Sequence, residues 1–155
     1  MTISRIVPLL LACIVLSACG QPEDPARVEL RARLKQSAQL SSEELARVLD
    51  EVGRTVADKP IRFKQDTVTG DLDQEQRTAV LGMLAERAGV FDEGLRTDGA
   101  ISSRVLNGPD KSLNAEYTAT RRLLIDVDTF VPRRFEFSHE VPGIGDYAFD
   151  LVIAP

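Results

Sequence analysis

The sequence predicts an α+β fold in which N-terminal helices pack on an antiparallel β-sheet meander. Apolar residues recur at helical spacing between Asp24 and Pro60. From Val90 to the C-terminus they alternate with polar residues, as in strands that bury one face. Helical patterns followed by a run of strand patterns are typical of α+β proteins, in which the helices cover one face of the sheet.

Two N-terminal helices are expected from their start signals. Asp24 can cap the first helix, and Pro25 suits the first helical position. Ser41 and Glu44 have the spacing of a capping box, and apolar residues at helical spacing follow them. Pro60 cannot continue this second helix, so the helix ends before it.

The rest of the chain is predicted to be mainly strands. A third helix is capped by Asp71 or Asp73, and Asp98-Gly99 is a dipeptide typical of a hairpin turn. Residues 113–124 fit either a strand or a helix. Strands are expected at residues 61–69, 90–97, 100–106, 115–129, 135–141 and 147–153.

The N-terminus has the pattern of a targeting segment. Arg5 precedes a stretch of 11 residues, 6–16, that is apolar throughout and interrupted only by Pro8. A helix that spans a bilayer needs about 20 apolar residues, so this stretch is too short to remain in the membrane. The residues Leu16-Ser17-Ala18-Cys19 that follow it resemble the lipobox of bacterial lipoproteins.

This resemblance implies a processed and lipidated chain. Residues 1–18 are then a cleaved signal peptide, residues 19–23 a lipidated tether and residues 24–155 a single folded domain. The thiol of Cys19 carries acyl chains, which hold the protein on a membrane. Gly20 stands where inner-membrane lipoproteins have Asp, so the resemblance implies the outer membrane, facing the periplasm. The alternative is an ordinary secretory signal, cleaved at Ala18-Cys19-Gly20.

Composition excludes several classes of function. The two cysteines are Cys13, in the signal peptide, and Cys19, so no thiol remains for a disulfide, a metal site or a nucleophile. The net charge of −5 argues against a general nucleic-acid binder, which needs a basic face. No phosphate-binding glycine loop precedes a helix, and no cofactor is expected.

Few residues are candidates for catalysis or metal binding. His139, the single histidine, lies in line with Phe135 and Phe137 on the apolar side of its strand, which favours a structural role. One histidine without cysteines does not make a typical zinc site. Asp126 and Asp128 straddle Val127 and are interpreted as a solvated strand face rather than an acid–base pair.

Two further groups of charged residues are also explained structurally. Acidic residues cluster around Gly70, but their spacing fails the EF-hand pattern, so helix capping is the preferred interpretation. The first helix carries cations that either contact anionic lipid headgroups or form a solvated face, and the solvated face is preferred. The acidic cluster is Asp66, Asp71, Asp73 and Glu75, and the cations are Arg27, Arg31, Arg33 and Lys35.

The expected function is that of a non-enzymatic envelope module that docks on a protein or cell-wall partner. The alternative is a carrier or sensor of a hydrophobic ligand, held beside the apolar side chains of residues 135–153. Residues 125–134 resemble a strand–turn–strand phrase of envelope lipoprotein carriers of the LolA/LolB-like class. Those proteins wrap a curved antiparallel sheet around helices and hold an acyl chain in the hollow. The resemblance covers ten residues and assigns no role to any one of them.

Overall fold

The computed structural model describes residues 23–85, 87, 89–109, 119–139 and 145–153. These residues form three helices and seven strands. The helices are α1 (Pro25–Leu34), α2 (Ser42–Val56) and α3 (Gln74–Ala85), and the strands are β1 (Ile61–Gln65), β2 (Val68–Asp71), β3 (Phe91–Asp98), β4 (Ile101–Pro109), β5 (Ala119–Asp126), β6 (Pro132–His139) and β7 (Tyr147–Ile153). No helix in the described ranges is both long and apolar enough to cross a membrane.

All seven strands join in one antiparallel sheet with the order β2-β1-β7-β6-β5-β4-β3. Strands β3 to β7 pair with their neighbours in the chain. The hairpin of β1 and β2 then joins the far side of β7, where Ile61 lies opposite Ile153. The first and last strands of the chain are therefore neighbours, and β2 and β3 form the two edges.

The predicted architecture, in which N-terminal helices precede and pack on a simple meander, is wrong, because the β1–β2 hairpin forms before α3 and joins the sheet beside β7. The structure is a seven-stranded antiparallel sheet with three short helices, and strand residues outnumber helical ones. Residues 61–69, predicted as one strand, belong to a hairpin that turns at Asp66 and Thr67 and begins the sheet before α3. The pairing of β1 with β7 depends on contact between distant segments, which local periodicity does not encode.

The start signals of the helices are confirmed. The side chain of Asp24 accepts a hydrogen bond from the N–H of Ala26 at 3.0 Å. Ser41 and Glu44 form the reciprocal capping box, in which each side chain accepts from the backbone N–H of the other residue. These contacts join residues at most three positions apart, so the sequence pattern was sufficient to predict them.

Two other local predictions have mixed outcomes. The hairpin at Asp98-Gly99 is confirmed, with Gly99 at a φ of 59°, which is the left-handed region that glycine adopts without strain. The undecided segment 113–124 contains the start of β5 at Ala119, and residues 113–118 lie outside the described part of the chain.

The core lies between the helices and one face of the sheet. Leu106, Leu123, Phe135 and Phe149 lie side by side across four neighbouring strands and are all buried. The helices contribute buried aliphatic side chains to the same cluster: Leu30, Leu34, Leu45, Val48, Leu49, Val52, Val56, Val80 and Met83. Burial of this apolar surface is the main source of stability for the domain.

The opposite face of the sheet carries charged side chains in cross-strand ion pairs. Arg134 of β6 lies 2.9 Å from Asp150 of β7 and 3.2 Å from Glu136 of its own strand. Arg96 of β3 reaches the same Glu136 at 2.7 Å. Exposed pairs of this kind contribute little stability individually, about 0–1 kcal/mol. They make this face polar, so the apolar side of the sheet is the one that the helices cover.

Candidate functional site

Two of the sequence-predicted site residues lie partly or wholly outside the described residues. Cys19, the expected lipid attachment site, precedes the first described residue. The backbone of His139 is part of β6 and lies opposite Ala119 of β5. The side chain of His139 is outside the described part of the structure. The structure therefore leaves both assignments as predictions.

The acidic residues around Gly70 have separate structural roles. Asp73 caps α3, because its Oδ1 accepts from the N–H of Gln76 at 2.7 Å while Gln76 returns a contact to the N–H of Asp73. Asp71 lies 3.4 Å from Arg62 of β1. Among the described residues, no group of three or more His, Cys, Asp or Glu side chains is arranged to hold a metal ion. Capping by Asp73 is confirmed.

Asp126 and Asp128 do not share a solvated strand face, so that interpretation is wrong for Asp126. Its nearly buried Oδ1 accepts from the N–H groups of Asp128 and Thr129 at 3.0 and 2.8 Å, and from the Thr129 hydroxyl. Its Oδ2 lies 2.5 Å from Arg133. Asp126 therefore shapes the turn between β5 and β6, whereas the exposed Asp128 forms an ion pair with Lys35.

The cations of α1 are all engaged by acidic side chains. Arg31 pairs with Glu23, and Arg33 lies 2.6 Å from Glu44 of α2. Arg27 lies 3.2 Å from Glu51 of α2, and its guanidinium stands 5.4 Å above the ring of Phe130. With Lys35 held by Asp128, the helix presents ion pairs rather than a row of free cations.

A buried ion pair joins strands β3 and β4. Arg104 is fully buried, and its guanidinium makes a bidentate contact with the buried carboxylate of Asp92, with Nε at 2.7 Å from Oδ1. A bidentate pair of this kind fixes the orientation of both groups. The carboxylate also accepts from the N–H groups of Leu40 and Gly94 at 2.8 and 2.9 Å.

The same arginine holds the connection between α1 and α2 against the sheet. Its guanidinium donates to three backbone carbonyls, those of Leu34, Gln36 and Ala38, at 3.3, 2.6 and 2.7 Å. The end of α1 and the residues after it leave carbonyls without helical partners, and a buried cation satisfies them. We call Arg104 and Asp92 the buried clamp.

Sequence reasoning missed the buried clamp. Arg104 lies within the predicted strand 100–106 and no role is predicted for it, yet it shares the core-facing side with Leu106, two positions on. Residues two positions apart in a strand point to the same side, so the sequence already placed Arg104 beside a core leucine. A charged side chain in that position is buried and needs a partner. The identity of the partner depends on tertiary contacts, since the loop carbonyls lie at least 66 residues away in the chain.

Two buried carboxylates couple stability to pH. Burial by itself would raise the pKa of Asp92, but the guanidinium of Arg104 and two backbone N–H groups outweigh it and hold the pKa below its usual value. At Asp126 the burial effect is likewise outweighed, chiefly by the hydroxyl and N–H of Thr129, so its pKa is also lowered. The carboxylates of Asp92 and Asp126 therefore bind protons less readily in the folded state than in the unfolded state.

We expect the free energy of unfolding to fall as pH drops from about 5 through the lowered pKa values of Asp92 and Asp126. A depressed pKa contributes stability above the unfolded-state value of about 4, and protonation removes that contribution below it. Urea unfolding between neutral and acidic pH measures the change. In Asp126→Asn, which keeps an acceptor without a titratable proton, the loss should be smaller. An identical pH profile in this variant would contradict the assignment.

The edge strand β3 exposes apolar side chains. Phe91 is 52% exposed and Leu95 is 37% exposed, while Ile101 at the start of β4 is also exposed. Within the described part of the chain, β3 has a strand partner on one side only. A β-bulge between Asp92 and Gly94 interrupts its register, which leaves Leu95–Asp98 as the regular part of the edge.

A shallow cleft of about 300 Å³ lies beside the regular part of this edge. Leu95, Ala100 and Val127 contribute its apolar wall, and the pair of Lys35 and Asp128 forms a charged rim. We call Leu95–Asp98 together with this cleft the β3 edge site. Its unpaired backbone groups and apolar wall are the features that an added strand would use.

A larger cleft, of about 420 Å³, lies at the other end of α1. It has an excess of positive charge, with three cations, Arg27, Arg54 and Lys59, against the single carboxylate of Glu51. Its remaining lining residues are Thr55, Val131 and Ile153. This cleft, which we call the basic cleft, stands out on a chain whose net charge is −5.

The two sites lie far apart along α1. The start of the helix reaches the basic cleft, where Arg27 meets Lys59 and Ile153, near β1 and β7. The end of the helix reaches β4, since the carbonyl of Leu34 accepts from Arg104. Strands β1 and β3 are five positions apart in the sheet, which corresponds to about 24 Å. Comparison with protein-family models, curated proteins and solved structures finds no match to this chain.

Proposed function

We propose that this protein is a lipid-anchored, non-enzymatic binding module of the bacterial cell envelope, attached to the outer membrane and facing the periplasm. The observation that carries the proposal is the run Leu16-Ser17-Ala18-Cys19 after a short apolar segment, which resembles a lipobox. Acyl chains on Cys19 would hold the domain on the membrane through a short tether, because two or three chains bind stably where one binds marginally.

A non-enzymatic role is supported by the structural use of the candidate catalytic groups. Asp126 is committed to a turn, Asp73 to a helix cap and Asp128 to an ion pair with Lys35. The buried charged pair of Arg104 and Asp92 holds the connection between α1 and α2. Groups with a complete set of structural partners are poorly placed for proton transfer to a substrate.

We propose the β3 edge site as the docking surface for a protein partner. The partner supplies an extended segment that pairs with Leu95–Asp98 and places an apolar side chain against Leu95 and Val127. Strand addition gives affinity through backbone hydrogen bonds, and pockets for side chains give selectivity. The N-terminal tether leaves the domain near the opposite end of α1, so an anchored domain would keep this edge away from the bilayer.

The apolar side chains that suggested a hydrophobic-ligand carrier are used within the core. Phe135 and Phe149 are buried, and their ring centroids lie 5.5 Å apart. Phe63 packs edge-on against Phe149, with ring centroids 6.2 Å apart. Aromatic side chains packed against one another in this way stabilise the fold and favour the docking module over the carrier.

The test is photocrosslinking in intact cells that express the full-length protein. A photoreactive amino acid at Leu95 is expected to capture one discrete envelope protein, whereas the same group at the exposed Lys64 captures none. Capture should also depend on the membrane, because Cys19→Ser removes the thiol that receives the acyl chains. Labelled palmitate should enter the unaltered protein and not this variant.

Either of two results would overturn the proposal. If palmitate does not enter the protein, the anchor is absent and the outer-membrane location fails with it. If palmitate enters normally but the groups at Leu95 and Lys64 capture the same proteins, the docking surface is elsewhere. Mapping the crosslinked peptide of the partner then tests whether it is an extended segment, as strand pairing requires.

A further inference from the structure

We infer that the basic cleft binds the phosphate of an anionic phospholipid headgroup and so sets the orientation of the anchored domain on its own membrane. This inference rests on the proposed lipid anchor at Cys19. It adds a second contact with the bilayer, made by the folded domain rather than by acyl chains.

The charge of the cleft supports an anionic occupant. Glu51 is shared by two cations, because Arg27 lies 3.2 Å from one of its oxygens and Arg54 pairs with the other. Arg27 also lies 3.9 Å from Glu23, which Arg31 shares, so two carboxylates serve three arginines. Lys59 has no acidic partner within 4 Å among the described residues. The lining residues thus carry an excess of two positive charges.

One cation of the cleft is held by packing, and the other two are on long side chains. The side chain of Glu51 is 12% exposed and the guanidinium of Arg27 stacks on Phe130, so this pair forms the rigid wall of the cleft. Arg54 is 71% exposed, and Lys59, which also lines the cleft, is partly buried. Exposed cations on flexible stems can close around a phosphate, which takes bidentate contacts from arginine.

The position of the cleft selects a membrane headgroup as the source of the phosphate. Arg27 is three residues, or about one helical turn, from Asp24, the first residue after the tether. The five peptide units between Cys19 and Asp24 span at most about 18 Å. A domain held this closely at the start of α1 brings the basic cleft to the level of the headgroups, where each cation is stabilised by the anionic surface.

The apolar lining residues of the basic cleft are also compatible with a lipid. Val131 and Ile153 supply apolar surface beside the cations, and Ile153 is only partly buried. A phospholipid offers a phosphate with glycerol and acyl carbons attached to it, whereas a free phosphate ion would gain nothing from these side chains. The basic cleft therefore fits a headgroup at the membrane surface better than a soluble anion.

The test uses the full-length, acylated protein in vesicles that contain a photoreactive phosphatidylglycerol. In phosphatidylcholine vesicles with about 30% phosphatidylglycerol, we expect label on the peptide that contains Arg54 and Lys59. The double substitution Arg54→Ala/Lys59→Ala should reduce this labelling to less than about a tenth. The matched control, Lys64→Ala/Arg77→Ala, removes two exposed cations outside the cleft and should leave the labelling unchanged.

The outcomes separate the two proposals. Palmitate incorporation reports on the anchor independently, so its absence refutes the proposed function itself. If palmitate is present and the double substitution leaves labelling unchanged, only the headgroup site is refuted. Loss of labelling on addition of about 10 mM inorganic phosphate would also overturn it, since a cleft selective for headgroups should not lose them to the free ion. The far-UV spectrum of each variant confirms that it has folded.

Discussion

Replacing Arg104 with alanine is expected to lower the free energy of unfolding by about 3–5 kcal/mol. The substitution leaves the carboxylate of Asp92 buried without its guanidinium. It also removes the donor for three carbonyls at the end of α1 and in the following loop, those of Leu34, Gln36 and Ala38. Urea unfolding of the purified protein at neutral pH measures the loss.

An exposed arginine on the adjacent strand provides the control. Arg122 of β5 lies 2.8 Å from Glu93, but both side chains keep roughly a third of their surface in solvent. Arg122→Ala should therefore cost less than about 1 kcal/mol. Equal losses in the two variants would show that burial does not set the strength of the Arg104 pair.

A double substitution tests whether the charges of Asp92 and Arg104 contribute to the free energy of unfolding as a pair or independently. Asp92→Leu combined with Arg104→Met replaces both charges with apolar groups. The loss in the double variant should be smaller than the sum of the two single losses, because neither charge is then left buried without the other. Additive losses would contradict direct coupling between the two side chains.

Replacing Phe135 with alanine is expected to destabilise the domain by about 3–5 kcal/mol. Phe135 is fully buried in a central strand and packs on Phe149. Its removal leaves a cavity among Leu123, Phe149 and their neighbours, which a close-packed interior cannot refill. Thermal and urea unfolding of the purified protein measure the effect.

This measurement also separates the docking module from the carrier. If Phe135 lined a ligand-filled hollow, its truncation in the ligand-free protein would change stability little. Phe91, which is mostly exposed on β3, serves as the control, and Phe91→Ala should change the free energy of unfolding by less than about 0.5 kcal/mol. A small loss at Phe135 would favour the carrier.

Sequence reasoning was reliable where a structural signal is contained within a few residues. The Asp24 cap and the Ser41–Glu44 capping box were predicted because each contact joins residues no more than three positions apart. The alternation of residues 147–153 predicted β7, and Asp98-Gly99 predicted the hairpin. The alternation follows from the two-residue repeat of a strand, and the caps and the turn are set by contacts within a few residues.

Predictions that needed contacts between distant segments were less successful. The alternation around Asp126 extended the predicted strand to residue 129, whereas the chain turns there around the carboxylate of Asp126. The α1 cations were recognised, but not the acidic partners from α2 and the β5–β6 turn that engage Arg33 and Lys35. A side chain's partner depends on which elements pack together, and one sequence does not contain that information locally.

By itself, the sequence determined where helices begin, where the hairpin turns and which strand faces are apolar, because these follow from neighbouring residues. Only the tertiary structure decided that β1 pairs with β7, that Arg104 and Asp92 form a buried clamp, and that Arg27, Arg54 and Lys59 share one cleft. These arrangements bring together residues from across the chain. Their free energy comes from burial and charge pairing that exist only after the elements have packed.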